Sequence, residues 1–91
     1  MPVTVRIPTQ LRSLAGGDAS VPVTGSTVGE VLKGLEAAHP GFQDRLFDDA
    51  GKLRRFVNIF VAEEDIRFLD GLDTPVADGA TVSIVPAVAG G

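Results

Sequence analysis

Arg55-Phe56-Val57-Asn58-Ile59-Phe60-Val61 is the stretch on which the reading of the fold turns. Its residues are mostly β-branched or aromatic, the composition of a strand on a pleated, half-buried surface. Alternation puts Val57, Ile59 and Val61 on one side and Phe56, Asn58 and Phe60 on the other. Downstream, Glu63-Glu64-Asp65 reads as a hairpin tip, and Ile66-Arg67-Phe68 as a short returning strand. Leu72-Asp73-Thr74-Pro75 makes a further connection, and Asp78-Gly79 turns the chain into a last strand over 81–85. Upstream, Asp48-Asp49-Ala50-Gly51-Lys52 is a turn-forming charged loop, and Phe42, Leu46 and Phe47 mark a second small helix or turn against the core.

Before that loop the period changes. Val28, Val31, Leu32 and Leu35 fall at i, i+3, i+4 and i+7, one face of a helix. Thr27 and Glu30 fit a capping box at its start, and Pro40-Gly41 ends it. Gly29 and Gly34 weaken this helix, since an interior glycine costs about 1 kcal/mol relative to alanine. Earlier still, Val3, Val5 and Ile7 alternate with Thr4 and Arg6, and residues 19–23 alternate again after Gly16-Gly17-Asp18. These read as a hairpin whose second strand, carrying Pro22 without an amide hydrogen, lies at a sheet edge. One helix covers one face of a sheet, so the order implies an α+β fold with a mixed sheet and one main helix packed across it. With the first and last strands parallel at the centre, this is the β-grasp arrangement of ubiquitin. Residues 1–86 form the expected β-grasp domain and 87–91 a flexible C-terminal tail.

Composition narrows the function. The chain has 91 residues, 44% of them hydrophobic and 22% charged, which argues against disorder and for one modest core. It has no cysteine, so a disulfide scaffold, a thiolate metal site and a cysteine nucleophile are excluded. A net charge of −4 argues against a nucleic-acid partner. No secretory signal and no membrane-length apolar run is found, so a cytoplasmic location and no membrane partner are expected. His39 is the single histidine, at a predicted helix end where it favours the dipole, and a multi-histidine metal site cannot be assembled. No serine lies in a G-x-S-x-G setting, and Gly16-Gly17 lacks the helix and lysine of a phosphate loop. Asp44, Asp48, Asp49, Glu63, Glu64 and Asp65 lack calcium-loop spacing; each by itself reads as solvated surface, and only as a whole field would they steer the domain toward a basic partner. An enzyme acting alone is not expected.

The end of the chain differs from an ordinary polar tail. It runs Val85-Pro86-Ala87-Val88-Ala89-Gly90-Gly91, with no charge after Asp78. Residues 87–91 reach about 17 Å when extended, and two residues without side chains pass a channel too narrow for a Cβ. Such a tail suits entry into another protein's active site. A free α-carboxylate, with a pKa of about 3.3–3.7, is ionised and a poor electrophile at neutral pH. Adenylation with ATP makes it reactive, and a sulfur nucleophile then leaves a thiocarboxylate.

On these residues the sequence resembles the ubiquitin-fold sulfur carriers of the MoaD/ThiS family along essentially its whole length. The most specific part is Asp78-Gly79 with Val82-Ser83-Ile84-Val85-Pro86-Ala87-Val88-Ala89-Gly90-Gly91. The middle, from Gly51-Lys52-Leu53-Arg54 through Val61 and then Glu64-Asp65-Ile66-Arg67-Phe68, is most similar to the branch serving actinobacterial cysteine biosynthesis. The resemblance implies a protein co-substrate that binds no cofactor itself. A partner adenylating enzyme uses ATP to activate Gly91, a sulfurtransferase or sulfide source makes the Gly91 thiocarboxylate, and a sulfur-accepting synthase takes the sulfur. In the cysteine route that synthase resembles a pyridoxal-phosphate enzyme, and a zinc metalloprotease releases the product; thiosugar formation is another destination. Ala87, Val88, Ala89 and Gly90 would thread the partner, while Phe56, Phe60 and Val85 on the open sheet face would form an apolar docking patch. The small subunit of a molybdopterin synthase and a ubiquitin-like protein modifier remain open as alternatives.

Overall fold

Residues 2–55 and 57–86 are described by the computed structural model. Strand β1 (Val3–Arg6) pairs antiparallel with β2 (Ser20–Val23), and helix α1 (Val28–Ala38) follows. A short helix α2 (Phe42–Leu46) leads to β3 (Val57–Val61), a two-residue β4 (Glu64–Asp65) and β5 (Thr81–Pro86). The sheet order is β2-β1-β5-β3-β4. β1 and β5 run parallel at the centre, with Val5 opposite Val82, while β3 lies antiparallel to β5 on the other side. This is the expected β-grasp, with Pro22 on the edge strand β2.

The alternating residues sort as their pattern requires. Val3, Val5, Val21, Val23, Val57, Ile59, Val82 and Ile84 are all buried under α1, whose own stripe of Val28, Val31, Leu32 and Leu35 is buried against them. Phe42 and Leu46 of α2 close one end of this core. The Glu30 amide donates to Thr27 Oγ1 at 3.2 Å, and Glu30 Oε1 accepts from the Ser26 amide at 3.0 Å. The helix start is therefore capped as read, with the reciprocal bond one residue further out. Glu36 holds the next corner, accepting from the amides of Gly41 at 2.9 Å and Gln43 at 3.2 Å.

Two connections differ from the sequence reading. The first hairpin contains a 3₁₀ turn, Thr9–Ala15, ending on left-handed Gly16 and Gly17. Leu11 and Leu14, three apart and so on one side of a three-residue turn, pack against the core, and Ala15 is buried. Secondly, residues 66–68 do not return as a strand. Ala62 and Glu63 turn the chain with positive φ, 51° and 73°, the requirement of a tight two-residue hairpin. After β4 the Asp65 carboxylate accepts from the Arg67 amide at 2.9 Å and starts the 3₁₀ turn Ile66–Phe68. Ile66 is buried, so the chain dives toward the core instead of extending the ladder. Among the described residues no helix is long and apolar enough to cross a membrane.

Candidate docking face and tail base

The face of the sheet turned away from α1 carries the other half of each alternation. Strand registers align Arg6, Ser83, Phe60 and Asp65 in one row across β1, β5, β3 and β4. Neighbouring strands lie about 4.8 Å apart, so the row crosses the sheet in about 14 Å. Val85 stands opposite Asn58 and diagonally beside Phe60. An open hollow lies here, lined by Arg6, Phe60, Thr81, Ser83 and Val85, with Glu63 at the hairpin end.

Of the docking residues expected from sequence, Phe60 and Val85 are brought together on this face. Val85 is 45% exposed, whereas Phe60 is half-buried and lies among polar neighbours. Among the described residues, the apolar part of this face is Val85 together with the half-buried ring of Phe60. Phe56 and the tail residues Ala87, Val88, Ala89, Gly90 and Gly91 lie outside the described residues. β5 delivers the chain to them from the middle of the sheet, paired on both sides up to Ser83 and with β3 alone from there to the Val57–Pro86 pair.

Residues that sequence reasoning did not single out also shape this face. The Arg67 guanidinium donates from Nη1 to Asn58 Oδ1 at 2.6 Å and from Nη2 to the carbonyls of Arg55 at 3.0 Å and Val57 at 2.9 Å. It pins the start of β3 beside Pro86. Arg6 and Ser83 reach the hollow through the parallel β1–β5 register, which alternation within each strand does not reveal. Phe68 is 87% exposed on the 3₁₀ turn beyond β4, in the segment read from sequence as a returning strand. His39 occupies the C-cap of α1, its amide bonded to the Leu35 carbonyl at 2.8 Å. Among the described residues no group of three His, Cys, Asp or Glu side chains is placed to hold a metal.

A β-grasp domain whose central strand leads into a glycine-ended tail, with an open sheet face beside it, defines a class of small carrier and modifier proteins. The ThiS family profile matches residues 5–91, and the chain belongs to that family. It is 55% identical over 93 residues to the sulfur carrier protein CysO of Mycobacterium tuberculosis, covering all of both chains. The crystal structure of an Amycolatopsis orientalis BexX/CysO complex contains a chain with a TM-score of 0.91 at 49% identity, covering 98% of this chain and 99% of that one. Small archaeal modifier protein 3 of Haloferax volcanii is 42% identical over 66 residues, covering 72% of this chain and 71% of that protein.

Proposed function

We propose that this chain is a sulfur carrier whose Gly91 carboxylate is adenylated and converted to a thiocarboxylate that donates sulfur to an acceptor enzyme. The observation that carries the reading is the family match running from β1 through the glycine pair to Gly91, across a domain whose central strand leads into that tail. Full-length identity of 55% to a protein named as a sulfur carrier supports it. The chain is a protein co-substrate and not an enzyme.

The chemistry balances in two steps. The Gly91 carboxylate attacks the α-phosphorus of ATP on a partner adenylating enzyme, forming an acyl adenylate and releasing pyrophosphate. Sulfide then displaces AMP and leaves the thiocarboxylate. Where the nucleophile is a sulfurtransferase persulfide, AMP leaves as an acyl disulfide forms, and a second thiol cleaves that S–S bond to release the thiocarboxylate and a disulfide. The nucleotide belongs to the partner; this domain contributes a reactive end, a reach of about 17 Å and a face that orients it. The sulfur goes to a synthase, for cysteine or a thio-metabolite, in the cytoplasm. The complex of the Amycolatopsis chain with BexX supports docking of this kind of domain on a partner protein.

Intact mass after incubation with the adenylating enzyme, ATP and sulfide tests the proposal, beside a control without ATP. An ATP-dependent gain matching sulfur for oxygen, abolished by deleting Gly91, is expected; no gain with an enzyme proven on another carrier would overturn it. The likeness to an archaeal modifier favours one second reading, isopeptide attachment to target lysines. ATP-dependent ladders on a blot of cell extract, with no thiocarboxylate, would establish that instead.

A further inference from the structure

We infer that a groove at the base of the tail receives a carboxylate-bearing segment of the partner protein, with Arg6 and Arg12 as its contacts. The inference rests on the reading above, that a partner takes the tail.

The groove follows from the topology. β1 ends at Arg6, and Pro8 leads the chain away from the sheet into the 3₁₀ turn Thr9–Ala15. β5, parallel to β1 with Ser83 opposite Arg6, continues to Pro86 with β3 on its other side and its β1 side left open. The space between has a volume of about 650 Å³ and reaches Pro86, the last described residue before the tail. Arg6 and Arg12 are the charged residues that line it, and no carboxylate does. That is unexpected in a chain with 12 acidic against 8 basic residues.

Among the described residues, both guanidinium groups have donors without an acceptor. Arg12 is half-buried, and its Nε donates to the Ile7 carbonyl at 3.1 Å, which fixes the plane of the group. Its Nη atoms have no hydrogen bond among the described residues, and exposed Arg6 has neither a hydrogen bond nor an ion pair among them. A guanidinium already held through Nε presents its remaining fork with little ordering left to do, and that fork matches a carboxylate. Position decides between a protein carboxylate and a nucleotide phosphate. On that reading the adenylate forms at Gly91, five residues beyond Pro86 with a reach of up to about 17 Å. A tail threaded into the partner therefore brings the partner's surface around the channel mouth to the groove. The rest of this acidic domain repels an acidic segment, so a contact confined to this groove also fixes the docking orientation.

The first test needs no partner. A terminally blocked Gly-Glu-Glu-Asp-Glu-Gly peptide is titrated into the ¹⁵N-labelled full chain. Saturable shifts are expected at the Arg12 Nε–H and at the Arg6 and Ser83 amides, lost in the Arg6→Gln, Arg12→Gln double variant while its melting temperature is kept. Shifts spread equally over Arg45 and Lys52, or tighter binding of inorganic phosphate at matched ionic strength, would overturn the assignment. So would movement of the Arg12 signal on deleting Gly90 and Gly91 before any peptide is added, because the groove would then hold the chain's own end. In adenylation assays the double variant should raise KM for the carrier roughly tenfold with kcat unchanged, and flatten its salt dependence. An unchanged KM would overturn the partner contact while leaving the sulfur-carrier reading intact. Failure of the wild type to gain sulfur would sink that reading without touching the peptide result.

Discussion

The two faces of one sheet obey opposite rules. Under α1 every inward position of the central strands is aliphatic, and Val5, Val82 and Ile59 have at most 1% of their surface exposed. On the other face the same strands present Arg6, Ser83, Phe60 and Val85 to an open hollow. The inner face is defined by volume, because a packed interior tolerates neither a void nor an added methyl group without cost. The outer face is defined by what it leaves available. Stability therefore resides on one face and does not depend on the composition of the open one.

Truncation on the inner side gives the largest effect. Phe42→Ala removes a fully buried ring at the end of the core and should cost about 3–5 kcal/mol in urea denaturation. A loss below about 1 kcal/mol would mean that α2 is a dispensable flap. Gly34→Ala probes the same layer by addition. A Cβ at that position would lie 2.7 Å from Val23 Cγ1 on the edge strand, so the helix-propensity gain of about 1 kcal/mol is opposed by overpacking of about 1–3 kcal/mol. A net loss of about 1 kcal/mol is expected; a stabilised variant would show that β2 yields, and the inner face would be softer than drawn.

Phe60→Ser carries the comparison to the other side. The half-buried ring contributes through cross-strand contacts, so the loss of stability should stay within about 1 kcal/mol while partner affinity, read by titration calorimetry, falls clearly. A large drop in melting temperature with unchanged affinity would place Phe60 with the core and erase the distinction.

The inner face was legible in the sequence because period-two strands and one amphipathic helix each state which side is buried, and their order leaves little choice of topology. The tail was singled out because no charge follows Asp78 and residues 90 and 91 are both glycine. The register between distant strands was not legible. Nothing local says that Arg6 stands beside Ser83, so the composition of the outer face emerged only with the parallel register. The glycines at 29 and 34 read as weak points in a helix, yet each marks a close approach. Gly29 faces the Leu72 carbonyl, 3.2 Å from where a Cβ would stand, and Gly34 faces Val23. Residues 66–68 misled because Ile-Arg-Phe has strand composition, while one Asp65 side chain diverts the backbone into a 3₁₀ turn.

The smallest expected effect lies at the rim where the core meets water. Phe47 and Leu53 pair across the 48–52 loop and pack on the core, and Asp48 closes that loop. Its Oδ1 accepts from the Lys52 amide at 3.0 Å and the Ala50 amide at 2.9 Å. The Lys52 hydrogen bond chiefly holds the carboxyl below its ordinary 3.8; partial loss of water around it opposes this, and the Ala50 bond with the charges of Arg54 and Lys52 adds to the lowering. A carboxyl depressed in the folded state binds its proton less readily there than in the unfolded chain. Its contribution is therefore complete above pH 3.8 and disappears as pH falls through the lower folded-state value. Hydrogen exchange at the Ala50 and Lys52 amides should show protection that declines across that window in the wild type. In Asp48→Ala it should be low at every pH, and in Asp48→Asn it should be partly kept and independent of pH, with the sheet amides unaffected in both. Equal protection in all three chains would mean that the loop is held by Phe47 and Leu53 alone. The inner face would then extend to the water's edge without a polar clasp.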